Sequence, residues 1–135
     1  MADLVTSTTI SDGEREAVMR FTYQYIDGDN ESAVTKVDVS SLQTSSNGDT
    51  CSAVRIAEIW YAVVGMTAML ESDASVDVTL LNLPSDRTGH LDMSSFGGLT
   101  SKLGTSPNGD ILITTTGAGA VGDSYNIVLR LIKDY

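Results

Sequence analysis

The stretch Tyr125-Asn126-Ile127-Val128-Leu129-Arg130-Leu131-Ile132 decides the fold class. Tyr125, Ile127, Leu129 and Leu131 alternate with Asn126, Val128, Arg130 and Ile132, and this period of two predicts an extended segment with one face in a core. The same alternation recurs upstream. From Val18 onward Met19, Phe21, Tyr23 and Tyr25 share one face, with Arg20, Thr22 and Gln24 on the other. Ala33, Thr35, Val37 and Val39 form another run, opposed by Lys36, Asp38 and Ser40. Val76, Val78 and Leu80 alternate with Asp77 and Thr79, and Pro84 marks a strand end or an edge. After Gly65 a run spans Met66 to Glu71, a short strand fits Gly89 to Met93, and a further one fits Ile111 to Thr115.

Between these runs lie turn residues. Asp27-Gly28-Asp29-Asn30, Asn47-Gly48-Asp49 and Ser106-Pro107-Asn108-Gly109-Asp110 combine residues that tolerate positive φ or bond their own backbone. Phe96-Gly97-Gly98-Leu99 reads as a tight turn or loop.

The most apolar segment, Cys51 to Val64, changes phase partway. Val54 and Ile56 sit on even positions, whereas Ile59, Tyr61 and Val63 sit on odd ones. A β-bulge near Ala57-Glu58 accounts for the switch. Ile56, Ile59, Trp60 and Val63 also fit helical spacing, but the enrichment in Val, Ile, Trp and Tyr favours a strand. The whole chain then reads as an antiparallel all-β sandwich of about eight strands. Residues 18–135 form one domain on this reading. Residues 1–17 are expected to be an arm or leader, with a short helical turn around Glu14 to Ala17 as an option, because Ser11-Asp12-Gly13-Glu14 has capping-box spacing.

A chain of 135 residues buries roughly two-thirds of its unfolded surface, so one core suffices without covalent staples. The formal net charge is −10, from 18 acidic and 8 basic residues. Phosphate backbones repel such a surface, and the basic residues are scattered singly, which argues against nucleic-acid binding. The longest apolar run, Ile59 to Met69, is interrupted by Gly65 and Thr67. It falls short of the ~20 residues a spanning helix needs, so no membrane partner is expected. One cysteine, Cys51, excludes an internal disulfide and a cysteine zinc cage. It reads as a small buried thiol. With no basic and apolar leader at the N-terminus, synthesis in a reducing cytoplasm is expected.

Motifs that suggest chemistry fail on context. Gly117-Ala118-Gly119-Ala120-Val121-Gly122 matches G-x-G-x-x-G and follows a strand. A dinucleotide site also needs a helix opening on the glycines and an acidic residue ~20 positions later. The residues after Gly122 alternate as a strand, so these glycines are expected to form a loop. Asp27-Gly28-Asp29-Asn30-Glu31 resembles the start of a calcium loop, but Ser32 and Asp38 stand where an EF-hand has glycine and glutamate. A solvated turn is the better reading. Asn30-Glu31-Ser32 is a glycosylation sequon without a secretory context. His90, the single histidine, has no nucleophile elbow around it and reads as a loop or strand-edge residue. Trp60 and Tyr61 read as core or interface packing rather than as a sugar platform. No catalytic, cofactor-binding or metal-ligating residue is assigned, and a non-enzymatic protein is expected.

The strand and turn wording carries a further signal. Lys36-Val37-Asp38-Val39-Ser40-Ser41-Leu42, Val54-Arg55-Ile56 through Ile59-Trp60-Tyr61, Leu80 to Pro84, Gly89-His90-Leu91-Asp92, Phe96-Gly97-Gly98-Leu99, Gly109-Asp110-Ile111-Leu112 and Tyr125 to Lys133 together resemble small virion structural proteins of tailed phages, notably marine and cyanobacterial ones. The resemblance runs from about Phe21 to the C-terminus. It implies a β-sandwich or jelly-roll protein of the particle, with capsid decoration (cement) on the shell exterior as the leading role. It also implies the major capsid protein as partner, homo-oligomerisation and no cofactor. No site residue carries over. A carbohydrate-binding or tail- and fibre-associated module for host recognition is the alternative.

Overall fold

The structure is a computed structural model that describes residues 4–26 and 30–135. Ten strands form among them: β1 (Leu4–Asp12), β2 (Glu16–Gln24), β3 (Val34–Val37), β4 (Ala53–Val64), β5 (Thr67–Ser72), β6 (Val78–Leu83), β7 (Arg87–Asp92), β8 (Leu99–Thr100), β9 (Ile111–Thr116) and β10 (Ser124–Asp134). One sheet runs β1-β2-β10-β4-β7 with β8 also on β4, and the other runs β3-β9-β5-β6. Every pairing is antiparallel.

The connectivity identifies the sandwich type. Setting aside β1 and β8, the strands pair from the outside inward: β2 with β10, β3 with β9, β4 with β7, β5 with β6. That is one long hairpin rolled across two four-stranded layers, which is a jelly roll. The eight strands read from the sequence correspond to this roll, and the two additional strands lie at its margin.

The alternation read from the sequence places the core. Phe21, Tyr23, Ile59, Ile113, Tyr125, Ile127, Leu129 and Leu131 are all buried between the layers. Tyr23 and Tyr125, opposite each other across β2 and β10, stack with ring centroids 5.6 Å apart. The phase switch in β4 is a bulge. Arg130 faces Glu58 while Leu131 faces Ile56, so Ala57 is the extra residue. Ile56, Ala57 and Ile59 are consequently all buried. The helical option for this segment does not form, because β10 and β7 flank it with ladder partners along its length.

Three differences from expectation have physical causes. Residues 4–12, within the segment expected as an arm, form the edge strand β1, whose residues are exposed almost throughout. Leu-Val-Thr-Ser-Thr-Thr-Ile is rich in β-branched residues, which favour strands, yet a strand exposed on both faces leaves no apolar alternation to read. The helical turn at Glu14 to Ala17 gives way to a hairpin closed by Gly13 N–H donating to Glu16 O, with β2 starting at Glu16. Third, Lys36 is not on a solvated face. Thr35 pairs with Leu112 and Val37 with Ile111, so Lys36 is a bulged residue, and both Lys36 and Val37 turn inward.

Candidate functional site

Two places gather functional side chains: a buried network at one end of the roll, and the outer face of the six-stranded sheet.

In the buried network, the Glu31 carboxylate lies 2.7 Å from Lys36 Nζ and accepts from the Tyr125 hydroxyl at 2.5 Å. The Lys36 and Glu31 side chains are 3% and 8% exposed. Burial, followed by the bond to Glu31, pushes the Tyr125 phenol far above its ordinary value, so it stays a protonated donor. Glu31 N–H donates to Thr115 Oγ1, which ties the network to β9. Each charge has its partner, and the network cross-links the segment before β3, β3, β9 and β10. Of the suspected calcium loop, Asp27, Gly28 and Asp29 lie outside the described residues. Glu31 is engaged by Lys36 and Tyr125, and Asn30 Oδ1 accepts from Ala118 N–H.

The outer face presents side chains in rows set by strand register. Arg20, Val128, Trp60 and His90 form one row, and Val18, Arg130, Glu58 and Asp92 form the next. Because the Ala57 bulge sends Ile59 and Val63 inward, Trp60 must point outward, and it is 39% exposed. His90, on the edge strand β7, stacks on the Trp60 indole with centroids 4.8 Å apart and planes 10° from parallel. Its Nε2 is 3.2 Å from Glu58 Oε1. Arg130 bridges Glu58 at 3.2 Å and Glu16 at 2.6 Å. The result is a ladder Glu16–Arg130–Glu58–His90 across β2, β10, β4 and β7. Exposed pairs of this kind are screened by solvent, so they orient side chains more than they stabilise the fold.

On the other, inner face of β4, next in sequence to Trp60, Tyr61 packs against the core and lies over Gly89 on the facing strand. A Cβ on Gly89 would sit 2.7 Å from the Tyr61 hydroxyl oxygen, so only glycine leaves that ring its place. Trp60, Tyr61, Gly89, His90, Asn126 and Val128 together line a shallow, open depression. This site combines flat aromatic surface with fixed polar rims, which suits binding. Among the described residues the partners of His90 are a carboxylate and an indole, and no serine or cysteine nucleophile is hydrogen-bonded to it. Reading Trp60 as core or interface packing left its orientation open, and the odd-numbered phase after the bulge was the signal that it faces outward.

The remaining sequence suspects resolve locally. The Gly117–Gly122 segment is a loop between β9 and β10, and the Asp123 carboxylate accepts from Gly119 and Ala120 N–H at 2.9 and 3.0 Å. That carboxylate takes the amide donors a phosphate would need. Cys51 is buried, donates weakly to Ala53 O, and has its thiol pushed up chiefly by burial. Among the described residues no group of three or more His, Cys, Asp or Glu side chains is placed to hold a metal ion, and no helix is long and apolar enough to cross a membrane.

No family model matches the chain, and no curated protein matches it. Among solved structures, a cupin superfamily protein from Desulfitobacterium hafniense is similar over 99% of this chain and 82% of its own, at 11% identity and a TM-score of 0.38. A likeness that distant carries no argument, and the chain is assigned to the jelly rolls by its own strand pairings.

Proposed function

We propose that this protein is a non-enzymatic structural protein of a tailed-phage particle, a decoration (cement) protein that binds the major capsid protein shell from outside and stabilises it. The observation that supports it best is a jelly roll whose interior is filled by its own side chains, from Phe21 and Tyr23 to Ile127 and Leu129. Recognition is left to outer faces, edges and loops. Capsid proteins are among the established users of this architecture, and it agrees with the resemblance in strand and turn wording. A net charge of −10 suits an outer surface better than one lining packaged DNA, where like charges repel. The protein would be made in the host cytoplasm and assemble on the particle, as a homo-oligomer over junctions of the lattice. Mass spectrometry and cryo-electron microscopy of purified particles test this. Density for the chain on the shell exterior is expected; its absence from the particle refutes the proposal, and density on the tail moves the role to a tail or fibre module.

The second reading, a carbohydrate-binding module for host surfaces, is favoured by the exposed Trp60–His90 stack with Glu58, Arg130 and Asn126 around it. Aromatic faces beside fixed polar groups suit sugar rings. A glycan array is the check. A hit should lose at least about tenfold in affinity in Trp60→Ala, equivalent to ~1.4 kcal/mol, and silence across the array removes this reading.

A further inference from the structure

We infer that β1 is a pairing edge for a second copy of this chain, the two β1 strands meeting antiparallel about a two-fold axis to join two six-stranded sheets into one. This inference does not depend on the virion role.

Edge strands offer unpaired N–H and C=O groups, and monomeric proteins guard them with charge, shortness or bulges. The other sheet edges here are guarded. The edge strand β7 carries Arg87, His90 and Asp92 within six residues. The edge strand β3 is only four residues long and bulged at Lys36. The edge strand β6 carries no charge, but at six residues it is shorter than the nine of β1, and its ladder with β5 shifts register within that length.

β1 has none of these protections over Leu4 to Thr9. Its pairing with β2 is regular from Leu4↔Gln24 to Thr9↔Met19, and the bulge falls only after that, at Ile10. From Leu4 to Ser11 the strand has no charged residue, in a chain that carries 18 acidic ones. Two strongly acidic molecules can approach along such an uncharged strand with less repulsion than along a charged face. Leu4, Val5 and Ile10 are 53%, 45% and 55% exposed, and self-pairing would cover part of that apolar surface. Strand addition supplies main-chain hydrogen bonds without a preformed pocket. An antiparallel pair of identical strands is self-complementary, as a two-fold interface requires.

The symmetry makes a sharp test. In an antiparallel two-fold pair, one residue faces its own copy, and pairs on either side diverge by equal steps. Single cysteines at positions 5, 6, 7, 8 and 9, each in a Cys51→Ser background of the full chain, are oxidised mildly and scored for disulfide dimer. The expected result is a maximum at one position, because facing Cα atoms about 4.5–5.5 Å apart lie within disulfide reach and others do not. In parallel, sedimentation over roughly a hundred-fold concentration range should show a dimer that weakens on dilution, since an edge-only contact is smaller than a stable interface of ~1,200 Å² or more. Val5→Lys/Ser7→Lys, on a strand exposed on both faces, should abolish the dimer while leaving the far-ultraviolet spectrum of the monomer unchanged. A monomer at every concentration overturns the inference. So does a dimer with flat crosslinking along positions 5–9, as exchange of β1 between copies or association through another face would give.

Discussion

Gly109→Ala is expected to lower stability by about 2–5 kcal/mol, read as a fall in urea midpoint at unchanged slope. Gly109 holds φ at +92°, a region that costs an L side chain about 1–2 kcal/mol. A Cβ there would also lie 2.1 Å from Ser52 O, 3.0 Å from the Ser52 carbonyl carbon and 3.2 Å from Ala53 Cα. All three atoms are backbone at the start of β4, so no side-chain rotation relieves the overlap. The turn is further knitted to its surroundings. Ser101 Oγ donates to Gly109 O at 2.6 Å while accepting from Val54 N–H, Asn108 Nδ2 donates to Asp73 Oδ2, and Asp110 Oδ1 accepts from Val39 N–H. Moving the turn aside would break those bonds. Gly119→Ala is the control, because a Cβ at Gly119 meets nothing within 4 Å; its effect should stay within about 0.5 kcal/mol. Equal effects at the two positions would mean that the Asn108–Asp110 turn does not seat on β4.

Lys36→Met is expected to cost about 3–5 kcal/mol, because it strands the Glu31 carboxylate in a nearly sealed site with the Tyr125 hydroxyl for company. The methionine itself fits the volume of the lysine stem, so the loss reports the uncompensated charge rather than a cavity. Adding Glu31→Gln removes that charge, and the double variant should recover a large part of the loss. Chemical denaturation of the wild type, both single variants and the double variant forms a complete cycle, with a coupling of at least about 1–2 kcal/mol expected. Strictly additive losses would show that Lys36 and Glu31 do not sense each other.

These two positions also mark how far the sequence could be read. Asn108-Gly109-Asp110 was legible as a turn because its residue types suit positive φ, a local property of the backbone. The partner it presses against, Ser52, is 57 positions away and has no local signature. The bulge at Ala57 was legible because the flanking residues are strongly apolar and their phase visibly shifts. The bulge at Lys36 was not, since Thr35, Lys36 and Val37 alternate smoothly in polarity and only the pairing with Leu112 and Ile111 reveals the extra residue. In the outer-face site, Trp60 was legible in phase but not in role. His90 was read as a strand-edge residue, yet its stacking on Trp60 follows from a register between β4 and β7 that is set by the fold as a whole.

The sequence by itself determined the antiparallel sandwich, the run of buried residues along β2, β4 and β10, and the conversion of the glycine fingerprint into a loop. Each of these follows from the period of two and from turn chemistry, which act over a few neighbouring residues. Only the tertiary structure decided the rolled order of the strands, the inward turn of Lys36, the outward Trp60–His90 stack and the unguarded edge of β1. Those depend on which distant strands pair and in what register. A one-residue shift in register moves a side chain from one face of a sheet to the other without any change in the local pattern.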